Sequence, residues 1–85
     1  MLHFRQIDPA RNRARFYSLD LVPTLFGEIV LIRRWGRIGT AGQQSETPVP
    51  SRDAGLAALI RAARRRRRRG YRLAPRGPNR RDGAG

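Results

Sequence analysis

The sequence predicts an α+β domain, an antiparallel β-sheet of about four strands with one C-terminal α-helix packed on it. Three observations lead there. Apolar and polar residues alternate along the first half of the chain, the period of a half-buried strand. Pro, Gly and Asn interrupt that alternation at short intervals. A 3.6-residue period emerges after Ser51. Four strands followed by a helix give an antiparallel sheet with one face covered.

The elements follow in order. LHFRQI (2–7) reads as a first strand with weak alternation, and DPARNR (8–13) is turn chemistry. RFYSLDLV (15–22) alternates well, placing Tyr17, Leu19 and Leu21 on one face and Phe16, Ser18 and Asp20 on the other. Pro23 and Gly27 bound a short connection. EIVLIRRW (28–35) is β-branched and apolar on both faces at its start, as a central strand requires. Gly36, Gly39 and Gly42 then break the chain. GQQSETPV (42–49) is a polar strand whose prolines suit an edge or an ending. Ser51 is a good helix N-cap, Asp53 sits favourably in the first turn, and Leu56, Leu59, Ile60 and Ala63 recur at helical spacing. Gly70 is the natural stop. The expected core is Tyr17, Leu19, Leu21, Ile29, Leu31, Leu56 and Ile60, with Tyr71 packing under the helix end. Residues 74–85, rich in Arg, Pro and Gly, are expected to be disordered beyond a domain spanning 1–73.

Composition narrows the function. The 85 residues hold no cysteine and one histidine, His3, so disulfides, thiolate zinc sites and histidine metal sites are not expected, nor is a cofactor. No 18-residue apolar run is present and residues 1–20 lack an apolar signal-peptide core, which points to a cytoplasmic protein with no membrane partner, nucleoid-associated if it binds DNA. Ser18, Ser45 and Ser51 have no base partner at a recognisable spacing, and GRIGTAG opens no helix after its strand. These absences argue against an enzyme and against a small-molecule substrate. The net charge is +13, carried by 19 arginines and no lysine, a bias that a GC-rich genome explains. Residues 1–50 carry +3 and residues 51–85 carry +10. Such a surplus suits a polyanion, and guanidinium forks bind phosphate bidentately.

Within RRWGRIGTAGQ (33–43), Trp35 ends the central strand and Arg37 follows two residues on, so extended geometry aims both the same way. An indole beside a guanidinium makes a platform for a base or sugar next to a phosphate. The residues alone favour the plainer reading, in which Trp35 is a core aromatic and Arg37 its solvated neighbour. Arg33 and Arg34 lie on opposite strand faces, and the sequence leaves open which one faces a ligand. The run Arg64, Arg65, Arg66, Arg67, Arg68 and Arg69 covers every side of the helix end, so its last two turns are expected to project. It reads as an electrostatic arm on phosphate, a solvated helix end, or an RNA-binding helix.

WGRIGTAGQ (35–43), with RFYSLDL before it, LFGEIVLIRR leading in, SRDAGLAALI as the helix and RRGY (68–71) closing it, resembles the WGR domain over about residues 4–73. That domain occurs in DNA-damage-responsive poly(ADP-ribose) polymerases and as small free-standing bacterial proteins, and this chain looks like the latter. The resemblance implies binding at DNA strand breaks. Trp35 would pack on the exposed sugar or base, Arg37 would contact the backbone, and Arg15 would reach the terminal phosphate. The polymerases carry an asparagine nearer the Phe-Tyr pair than Asn12 stands here, so that contact is not carried over. These 85 residues leave no room for the polymerase catalytic domain, so that activity is not expected of them. Beside Trp35, Arg37 and Arg15, the expected DNA-binding set takes in Gly36, Arg34 and Gly39 from the residues themselves, with Gly36 clearing space for the ligand and Gly39 shaping the hairpin. DNA ends, nicks or duplex are the expected partners. The alternative is a general polyanion or RNA-associated adaptor in which the arginine arm does the binding.

Overall fold

The computed structural model describes residues 1–74. Strand β1 (Leu2–Asp8) leads through one 3-10 turn (Pro9–Arg11) into β2 (Arg13–Pro23). Strands β3 (Ile29–Arg37) and β4 (Gln43–Val49) follow, then helix α1 (Arg52–Arg68) and a two-residue strand β5 (Arg72–Leu73). The five strands form one antiparallel sheet in the order β4-β3-β2-β1-β5, with α1 packed on one face. The α+β reading holds. The fifth strand is the addition: it is too short to carry a period, and it pairs with Phe4 and Arg5 at the sheet edge. The tail beyond residue 74 lies outside the described residues.

The DPARNR turn closes on Asn12, in the left-handed region at φ 53°, whose amide donates to the Pro9 carbonyl. Asparagine tolerates that conformation better than most residues. Cross-strand partners share a face, so Leu2, Phe4, Tyr17, Leu19, Leu31 and Trp35 look toward the helix together. Phe4, Tyr17, Leu19, Leu31 and Tyr71 are the buried apolar residues. Tyr71 thus packs under the helix end as expected, whereas Leu21 and Ile29 are only half-buried.

The helix begins as the sequence predicts, with Ser51 Oγ accepting from the Ala54 amide at 3.1 Å. Its buried stripe differs. Gly55, Ala58, Leu59, Ala62 and Ala63 face the sheet, while Leu56 and Ile60 are 43% and 47% exposed. The small residues bring the helix axis close. A Cβ at Gly55 would lie 3.0 Å from Leu21 Cδ2 and 3.1 Å from Val49 Cγ2. Close approach there turns the larger Leu56 and Ile60 outward and removes both from the expected core.

The C-terminal end is tied down rather than projecting. Gly70, at φ 90°, donates to the Arg67 carbonyl, and Tyr71 donates to the Arg66 carbonyl at 3.0 Å. This is a Schellman closure. Gln6 Nε2 donates to the Arg69 carbonyl at 2.9 Å, fastening the end of α1 to β1.

Candidate nucleic-acid interface

Where α1 ends, the helix-bearing face of the sheet opens into a basin of about 930 Å³. Arg11, Arg13 and Arg15 enter it from the first turn and the start of β2, Arg33 and Arg37 from β3, and Arg66 from the helix. Tyr17 and Trp35 form its aromatic floor, with Tyr71 beside them. Asn12, Gly36 and Ser45 complete the lining, and among the described residues no acidic one takes part.

Alternation on two strands builds this site. Tyr17 and Trp35 are cross-strand partners with ring centroids 6.5 Å apart. Trp35 is half-buried, one side packed against the core cluster and the rest in the basin. The two readings of Trp35 are therefore each partly right. One step along the ladder, Arg15 and Arg37 oppose each other, both exposed. Like charges directly opposite destabilise a sheet, and an anion between them would relieve the repulsion. The Arg37 guanidinium leans on the Asn12 carbonyl through a long 3.4 Å contact. Arg11 is drawn aside by Asp8, 3.7 Å away, in an exposed pair worth little.

Deeper in the basin, Arg33 and Ser45 are partners across β3 and β4. Arg33 Nε and Ser45 Oγ are buried polar atoms that no group among the described residues satisfies. Arg66 lies with its guanidinium 4.0 Å above the Tyr17 ring centre and 5.7 Å from that of Tyr71. The Schellman closure accounts for this placement, because it sets residue C3 (Arg66) against residue C″ (Tyr71).

Of the residues singled out in the sequence, Trp35, Gly36, Arg37, Arg15 and Arg66 meet in the basin. Arg34 does not: it lies on the reverse face, where its guanidinium donates to the Ala41 carbonyl at 3.0 Å and braces the β3–β4 turn. Gly39 sits in that turn at φ 96°, outside the basin. The missing Cβ of Gly36 would fall 2.7 Å from Gly42 Cα, so Gly36 makes room for its own hairpin. Arg64, Arg65, Arg67, Arg68 and Arg69 are exposed and outside the basin. Arg33, Asn12, Arg11, Arg13, Tyr17, Ser45 and Tyr71 complete it without having been assigned to it from sequence. For Arg33 the signal was present, since it stands two residues before Trp35 as Arg37 stands two after.

Among the described residues, no cluster of His, Cys, Asp or Glu could hold a metal ion, and no helix is long and apolar enough to cross a membrane. The family model of the WGR domain matches residues 1–78. The chain is similar to the uncharacterized protein y4dW of Sinorhizobium fredii (strain NBRC 101917 / NGR234), with 40% identity over 74 residues. That match takes in 87% of this chain and 36% of the relative, so the chain spans little over a third of the relative's length. No solved structure matches.

Proposed function

The chain belongs to the WGR domain family, a nucleic-acid-binding module of poly(ADP-ribose) polymerases, and on that premise we propose that it binds DNA at exposed ends or nicks through the basin. The observation that carries this reading is the half-buried Trp35 set among basin arginines, with no acidic residue among the described residues of the lining. A stacking surface takes the sugar or base that an end or nick leaves uncovered, and the guanidinium groups hold the phosphates beside it. Trp35 is the stacking residue. Arg37 and Arg15 hold backbone phosphate, and their mutual repulsion favours an anion between them. Arg33 adds a further guanidinium to the lining two residues before Trp35. Chemistry is not part of this role, since the WGR domain is a binding domain.

An open blunt duplex set against a dumbbell of equal length, closed by a hairpin loop at each tip, tests the reading. Phosphate density is nearly the same along both, but only the open duplex exposes a terminal face. One stacking contact contributes about 1–3 kcal/mol, a preference of about five-fold to a hundred-fold. Competition at moderate salt should show that preference. Equal affinity for the two would leave a general polyanion binder, with the arginine run responsible.

A further inference from the structure

The helix divides its own arginines. At 100° per residue, Arg61, Arg64 and Arg68 fall within about 60° of one another, on the side opposite the stripe that ends in Arg66. All three are exposed, whereas Arg66 is half-buried over the Tyr17 ring. Among the described residues none of the three is paired with a carboxylate. They therefore repel one another along a rigid helix. From Arg61 to Arg68 the helix rises about 10 Å. Over that distance one strand of a duplex presents about three phosphates.

We infer that Arg61, Arg64 and Arg68 form a second duplex-binding surface turned away from the basin, so that one chain holds two DNA segments at once. An end occupies the basin and the flank of another duplex lies along the helix. The bridging half of this inference rests on the proposed end-binding function; the surface itself does not. The flank is the fitting partner because the stripe is convex and has no aromatic side chain, so it meets phosphates and no base. The second segment belongs to a different duplex because DNA keeps its direction over about 50 nm and cannot fold around a helix about 10 Å wide.

The test uses the full chain and the triple variant Arg61→Gln, Arg64→Gln, Arg68→Gln. Glutamine is a good helix former, so exposed substitutions should leave the fold intact, as circular dichroism can check. A blunt duplex is immobilised by one end, loaded with protein at its open end, washed, and offered a labelled closed dumbbell. Wild type should retain the dumbbell. The triple variant should load the open end equally and retain at least about ten-fold less dumbbell, with its log–log salt slope for dumbbell binding flatter by about 2–3. Undiminished retention by the triple variant would overturn the inference. Loss of open-end loading in that variant would overturn it too, because the stripe would then serve the same duplex as the basin. If wild type loads open and closed duplexes alike, the end-binding reading fails, and the slope change alone decides whether the helix surface stands.

Discussion

The basin and the outer face of α1 are both built from arginines, yet they differ in what surrounds the charge. In the basin, Arg37 rests on the Asn12 carbonyl, Arg66 on the Tyr17 ring, and Arg33 in the β3–β4 ladder beside Ser45. On the outer face, Arg61, Arg64 and Arg68 extend into solvent. A long flexible cation answers to charge density alone, and a guanidinium pinned on an aromatic answers to position as well. The difference teaches that arginine count predicts attraction to a polyanion, whereas the neighbours of each arginine predict selectivity.

The contrast can be broken most forcefully at Tyr71, which is buried under the helix end and closes the Schellman turn. Tyr71→Ala should cost about 3 kcal/mol of stability, in the range for removing a buried aromatic, and thermal melting would measure it. The basin should lose its shape with it, while the outer arginines still bind DNA under conditions where the variant folds. Trp35→Ala comes next. It should weaken open-end binding by about 1–3 kcal/mol and barely change dumbbell binding. Loss of cooperative melting in this variant would instead assign Trp35 to the core.

Arg66→Lys sharpens the comparison further, because it keeps the charge and removes the plane. A cation–π contact is worth about 0.5–1 kcal/mol, so open-end affinity should fall two- to five-fold with the salt slope unchanged. The same change at Arg64 should leave the open-to-closed ratio alone. The smallest effect is expected at Arg34. Arg34→Gln should shift end affinity by less than about 0.5 kcal/mol, whereas Arg33→Gln should lower it measurably. Titrations of the two variants side by side would decide which face of β3 meets DNA.

Much of the fold was legible because its determinants are local. The alternation of Tyr17, Leu19 and Leu21, the glycines after Trp35 and the Ser51 cap each follow from neighbours a few residues away. The helix stripe is half legible: Leu59 and Ala63 face the sheet as the period predicts, but the period also marks the large Leu56 and Ile60 as inner. Gly55, Ala58 and Ala62 make contact beside Leu59 and Ala63, and how closely a helix approaches a sheet is a tertiary matter. Strand β5 leaves no mark in the sequence because two residues have no period. In the site, the Trp35–Arg37 pairing was legible from the two-residue step between them. The gathering of Arg66 with Tyr17 was not, since 49 positions separate them and only the turn at Gly70 brings the helix end over β2.

That turn also makes the site a reporter of its own occupancy. The Tyr71 amide is held by the Arg66 carbonyl, and the Arg66 side chain lies over the basin floor. A helix end is where a small domain opens first, through local fluctuations far cheaper than global unfolding. A ligand that fixes the Arg66 guanidinium removes those fluctuations, because the side chain cannot be held while its own backbone frays. Hydrogen exchange at the Gly70 and Tyr71 amides should therefore slow when the basin fills, while exchange at the Ser51 end of the helix stays as it was.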